Sequence, residues 1–322
     1  MRSAVRWFLA LSSSALAAPL AAACGSRTGL LAPESLKQDV ADAAGDGEVD
    51  ASVDASEDLL EPIDVTFPDV TSADECPDAG STLIYLLTQQ NDLYSFHPSD
   101  GVFRLIGPIS CPSPAGAMPF SMAVDRRGIG YSVFDDGTLK LLDMATAHCQ
   151  PTPFRPGQDG FTTFGMGFVA NTGDAGETLF VAEGTATPQR PSSRGLATID
   201  TKALRLAFVA PFTPPIPGPE LTGTGAGQLF AFYTNAGTVG SHIVQLDPAS
   251  GAILTDFPLT VGDTTAAYAF AFWGGVFWVF TSPAATSTTT VTRFDPSTRE
   301  EMTAATLDET VVGAGVSTCA PQ

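Results

Sequence analysis

Leu246-Asp247-Pro248-Ala249-Ser250-Gly251 decides the fold, because its pattern recurs along the chain. An apolar run ends in Asp, a few turn-forming residues follow, and a second apolar-alternating run begins. The other copies are Phe96-His97-Pro98-Ser99-Asp100-Gly101, Leu142-Asp143-Met144-Ala145-Thr146, Ile199-Asp200-Thr201-Lys202 and Phe294-Asp295-Pro296-Ser297-Thr298. With His97 standing in for Asp in the first copy, the markers are 46, 57, 47 and 48 residues apart. Short strands repeating every 40 to 50 residues or so predict an all-β, five-bladed β-propeller with one four-stranded blade per repeat. Asp beside Pro and Gly is turn chemistry, so these acids are read as punctuation rather than catalysis.

Period-2 alternation divides each repeat into strands. The first repeat supplies Thr82 to Thr88, Leu93 to Phe96 and Val102 to Ile106 but no innermost strand. The other repeats have theirs, at Phe120 to Val124, Phe164 to Phe168, Leu221 to Gly225 and Tyr268 to Phe272. Val311-Val312-Gly313-Ala314-Gly315-Val316 has the same small-residue alternation. Supplied from the C-terminus, it completes blade one and closes the ring, which removes an exposed sheet edge. Small residues on the innermost strands suit a ring of few blades, where those strands crowd the axis. Four or six blades would leave a fragment or demand a blade that cannot be seen.

This closure predicts a disulfide. Cys319 lies just after the borrowed strand and Cys76 just before the strand it pairs with, so a bond between them staples the ring. In the loop-entropy model a bridge joining such distant points contributes about 4 to 5 kcal/mol. Cys111 and Cys149, read as following the outer strands of blades one and two, are left to pair with each other. The spacing of these cysteines does not suit a zinc site.

The segments ahead of the repeats differ sharply in composition. Arg2 and Arg6 precede the apolar stretch Trp7 to Leu20, the layout of a bacterial secretion signal over residues 1–23. The stretch is too short for a good membrane span. In Leu20-Ala21-Ala22-Ala23-Cys24 small residues precede a Cys, so Cys24 is the expected lipidation site, with cleavage after an Ala-x-Ala triplet as the alternative. Acyl chains on Cys24 would anchor the protein to a membrane without a spanning helix. Gly25 follows where some bacteria use Asp to retain lipoproteins at the inner membrane, which leans towards the outer membrane. Residues 24–75 then read as a disordered acidic linker. Between Cys24 and Gly80, 15 acids face Arg27 and Lys37, and such a segment buries too little apolar surface to offset its ordering entropy. As a random coil it reaches on the order of 40 Å.

Residues 76–322 are read as the propeller domain. From position 81 onwards, 11 bases face 20 acids. Negative charge on both parts argues against nucleic acid as a partner, because that binding depends on neutralising phosphates.

Enzymatic motifs are absent. Asp46, Glu48, Asp50, Asp54 and Glu57 fit positions of a calcium loop, but Ala51 stands where the sharp turn needs Gly. His97 and His148 sit at or near outer-strand turns and His242 begins a predicted strand, which disfavours convergence on one metal. Phe164 to Ala170 matches Gly-x-Gly-x-x-Ala without the helix a dinucleotide site requires, and no other cofactor motif is present. The aromatic group Tyr268, Phe270, Phe272, Trp273, Phe277 and Trp278 is read as core between blades, with Trp273 the member to test for exposure.

Lipobox, acidic tether, five repeats and the terminal Gly313 to Cys319 run together resemble a group of uncharacterised bacterial lipoproteins with a propeller-type repeat domain. The resemblance spans nearly the whole chain and implies no activity or substrate. By fold analogy, binding is expected on the face where loops entering the inner strands meet loops between the middle strands. Those loops are expected to supply Asn91, Asp92, Phe120, Asp135, Asp136, Thr163, Arg190, Arg194, Glu220 and Tyr268. The function expected is that of a non-enzymatic, envelope-anchored binding or scaffolding protein recognising a protein, peptide or glycan. The alternative is a propeller hydrolase or lyase acting on a polymer or small molecule outside the cytoplasm. A third reading is an assembly part of a larger envelope complex.

Overall fold

The computed structural model describes residue 76 and residues 82–111, 116–184, 192–235, 240–262 and 265–322. The signal, Cys24 and the acidic linker lie outside the described residues. All described residues belong to the compact unit Ile63–Gln322.

Five four-stranded antiparallel sheets form the blades. Blade one contains β1 (Ile84–Thr88), β2 (Asp92–His97) and β3 (Val102–Pro108). Blade two runs β4 (Pro119–Val124), β5 (Ile129–Phe134), β6 (Leu139–Asp143) and β7 (Cys149–Pro151). Blade three is β8 (Phe164–Ala170), β9 (Glu177–Glu183), β10 (Leu196–Asp200) and β11 (Arg205–Ala210). Blade four is β12 (Glu220–Gly223), β13 (Leu229–Thr234), β14 (Ser241–Leu246) and β15 (Ile253–Leu259). Blade five is β16 (Thr265–Trp273), β17 (Val276–Pro283), β18 (Thr289–Asp295) and β19 (Glu300–Leu307). The last strand, β20 (Val311–Gly315), is the inner strand of blade one. Its Gly313, Ala314 and Gly315 stand opposite Leu87, Leu86 and Tyr85. Around the axis β20 abuts β4, then β8, β12 and β16 follow, and β16 returns to β20.

The small residues on these strands are required by that crowding. A side chain at Gly223 would meet the Phe168 carbonyl oxygen of the neighbouring inner strand, and one at Gly165 the Pro219 carbonyl. The larger side chains leave the axis and pack between blades. The five apolar clusters each fill one blade interface, for example Leu87, Leu93, Met122 and Phe134 between blades one and two. At the interface of blades four and five Phe230 meets Phe277 edge-on, with ring centroids 4.9 Å apart. Trp278 joins Phe96 in the interface of blades five and one. Trp273 is half-buried and its Nε1 donates to the Thr82 carbonyl at 3.0 Å, so it clasps blade five to the segment that precedes β1.

The recurring turn is one structure used five times. In each copy the residue four after the marker has positive φ: Gly101 (68°), Ala147 (59°), Leu204 (51°), Gly251 (66°) and Arg299 (63°). Its N–H donates to the marker's carbonyl at 2.7 to 2.9 Å in every blade. Asp143, Asp200, Asp247 and Asp295 each accept the N–H two residues ahead. In blade one the His97 ring stands in, with Nδ1 2.8 Å from the Ser99 hydroxyl.

Both disulfides are present. Cys76 is joined to Cys319, with Cα atoms 5.3 Å apart, and Cys111 to Cys149, at 5.0 Å. One placement differs from the sequence reading. Cys149 opens the outer strand β7, where it pairs with Leu142, instead of following that strand. The turn that starts at Asp143 closes at Ala147, so the short outer strand begins directly afterwards.

Candidate functional site

Three residues expected where loops enter inner strands lie within those strands. Phe120 is the second residue of β4, Glu220 the first of β12, and Tyr268 is well inside β16. The strands extend further towards this face than alternation alone indicated. Together with Asp135, from the turn between β5 and β6, these side chains line a cavity of about 400 Å³ above the inner ring.

Glu220 forms part of its floor. The residue is 6% exposed, and its carboxylate reaches from blade four past blade three to blade two, where the Ser121 hydroxyl donates to Oε2 at 2.7 Å. The Met166 amide of β8 donates to the same carboxyl. Desolvation outweighs both hydrogen bonds and lifts the Glu220 pKa well above its ordinary 4.5. The Tyr268 hydroxyl donates to the Gly218 carbonyl at 2.5 Å, and burial together with the nearby Glu220 charge raises its pKa. Asp135 is exposed and accepts the Met118 N–H at 3.0 Å. Gly184 and Gly218 bring the rim together, since a Cβ on Gly218 would meet the Gly184 carbonyl. Below the floor the inner strands leave a void of only about 10 Å³, so the axis is packed rather than open.

The other described sequence candidates are not among the residues lining this cavity. The Asp136 carboxylate takes the Thr138 N–H and hydroxyl. Thr163 is buried beneath the rim, where its carbonyl receives the Gly184 N–H. Asp92 opens β2, and burial and the nearby Glu309 carboxylate raise its pKa. Asn91 occupies a left-handed turn position with φ 69°. Arg194 lies over blade three, its backbone N–H on Glu183 Oε2 and its Nε on the Gly160 carbonyl. Arg190 lies outside the described residues. Ser121, Met166, Gly184 and Gly218 were not among the candidates, because their roles arise from contacts between blades.

A broader cleft of about 680 Å³ opens on the opposite face around Asp125, Arg127 and Glu177. Its charges are largely satisfied internally. Arg127 pairs with Asp125 at 2.8 Å, and Glu177 accepts from the Arg126 N–H at 2.8 Å and the Thr318 hydroxyl at 2.7 Å. That network ties the C-terminal segment to blades two and three. Among the described residues no group of three or more His, Cys, Asp or Glu could hold a metal ion. No helix among them is long and apolar enough to cross a membrane.

No family model matches, and no curated protein matches. Among solved structures the chain is similar to Kuenenia stuttgartiensis hydrazine synthase, with 13% identity over 73% of this chain and 69% of that one and a TM-score of 0.38. It is also similar to the Dos1 propeller, with 12% identity over 66% of this chain and 52% of that one and a TM-score of 0.36. A chain of a mitotic checkpoint complex aligns with 10% identity over 82% of this chain and 76% of that one, at a TM-score of 0.37.

Proposed function

We propose that the protein is a non-enzymatic binding module displayed in the bacterial cell envelope, anchored by lipid at Cys24 and engaging an envelope protein, peptide or glycan through the cavity above its inner ring. The observation that carries this reading is the cavity itself. Its volume of about 400 Å³ lies within the range of small-ligand sites. Its floor is a buried carboxyl held by blades two and three, so the site is formed before any partner arrives. Two disulfides in the domain suit an oxidising compartment outside the cytoplasm. Among the described lining residues there are two carboxylates, Asp135 and Glu220, and no His.

The test is site-specific photo-crosslinking in intact envelopes. A photoreactive residue at Met118, on the cavity wall, captures a partner that one at Ala249, on the opposite face, does not. Equal capture from both positions, or none from Met118, overturns the reading.

A further inference from the structure

The cavity's polar and apolar groups point to one ligand chemistry. The described lining includes Glu220, Asp135, the rings of Phe120 and Tyr268, and prolines and alanines, but no Lys, Arg or His. Glu220 has two hydrogen-bond donors and no cation beside it, so its buried carboxyl lacks a counter-charge. Aromatic faces and carboxylates together attract a cation on an apolar stem. The domain's excess of 20 acids over 11 bases draws such a ligand in from solution.

We propose that the cavity binds an alkylammonium group, seated against Glu220 and Asp135 and flanked by Phe120 and Tyr268. This inference rests on the binding reading above and specifies the ligand class of that same site. The group can belong to a free small amine or to a lysine side chain of a peptide. Burial favours the protonated form of Glu220 and an incoming ammonium favours its carboxylate, so binding shifts the carboxyl towards proton release. The titratable group that senses Glu220 is Tyr268 on β16. Strands β4 and β8 present Ser121 and the Met166 amide, neither of which titrates, and Asp135 stands on the cavity wall.

Calorimetric titration of the full mature chain tests this with 1,5-diaminopentane, N-acetyl-lysine methylamide and, as the neutral control, 1-pentanol. The ammonium probes are expected to bind at least about tenfold more tightly than the alcohol. Proton release on binding is expected, as read from buffers of different ionisation heat, and affinity should rise as pH rises towards the folded-state pKa of Glu220. Glu220→Gln should weaken the probes about tenfold and abolish the proton release, and the exposed Asp135→Asn should weaken them without abolishing it. A tighter fit of the lysine amide than of the diamine identifies the peptide source, and the reverse identifies a free amine. Equal binding of the alcohol, or unchanged binding and proton release in Glu220→Gln, overturns the inference. If Met118 crosslinks a partner while no ammonium probe binds, the ligand class falls and the binding face stands; if both fail, both fall.

Discussion

The Ser121 hydroxyl on β4 donates to Glu220 Oε2 on β12 at 2.7 Å, a buried hydrogen bond between blades that are not neighbours in the ring. It makes blades two, three and four one unit at the cavity floor, and it places an ionisable group where ionisation is costly.

That cost has a defined pH dependence. The folded-state pKa of Glu220 is raised above the ordinary 4.5, so the folded protein holds its proton more tightly than the unfolded chain. Stability from this group is complete below about pH 4.5 and is lost as pH rises towards the folded-state value, at about 1.4 kcal/mol per unit over that window. Glu220→Gln keeps the neutral shape. Its unfolding free energy should match the parent's at pH 4 and exceed it increasingly from pH 5 upwards in urea titrations. A constant offset between the two curves would mean that Glu220 is not buried in its neutral form.

The inner ring should reject one methyl group. Gly223→Ala forces a Cβ against the Phe168 carbonyl, and backbone cannot yield as a side-chain tip can, so a loss of about 3 kcal/mol is expected. Gly101→Ala is the comparison. Its Cβ would be 3.7 Å from the nearest atom, and its cost of about 1 kcal/mol comes from the left-handed φ of 68° alone. Chemical denaturation of both variants should rank them in that order.

Arg299 holds the same turn position with φ 63° and is exposed. Replacing it with Gly relieves the backbone strain and forfeits a cation–π contact with Phe257 at 5.6 Å. A net gain of about 0.5 kcal/mol in unfolding free energy is expected. A loss of stability would show that the side-chain contact outweighs the strain.

The two disulfides should differ in worth. Cys76 and Cys319 are separated by 243 residues, Cys111 and Cys149 by 38, so loop entropy alone makes the first worth about 1 to 2 kcal/mol more. Paired Cys→Ser variants, compared by urea denaturation, measure the difference directly. The amides of β20 and β1 should also exchange faster in the Cys76→Ser, Cys319→Ser protein. An unaltered exchange pattern would show that the staple does not support closure.

The ring was legible because its signals are local. Asp247-Pro248 with Gly251 states both the side-chain cap and the left-handed residue that closes the turn, and the other copies keep that spacing even where Ala147, Leu204 or Arg299 replaces Gly. The borrowed strand was legible because Gly313, Ala314 and Gly315 repeat the alternation of Gly165 and Gly167. The site was only partly so. Topology assigns Phe120, Asp135, Glu220 and Tyr268 to the face that carries the cavity, but it assigns Asp136 and Thr163 there equally, and local hydrogen bonds and burial occupy those two. The roles of Ser121 and Met166 depend on how three inner strands stagger about the axis, which no spacing within one blade encodes.

The cavity and its floor depend on β20 completing the ring. The most direct measurement is thermal unfolding of a chain ended after Thr310, compared with the full chain and with the full-length Cys76→Ser, Cys319→Ser protein that lacks only the staple. Closure by β20 predicts that the truncated chain loses its cooperative transition while the staple-free protein keeps one at a lower temperature. A truncated chain that unfolds as cooperatively as the staple-free protein, and at the same temperature, would contradict it.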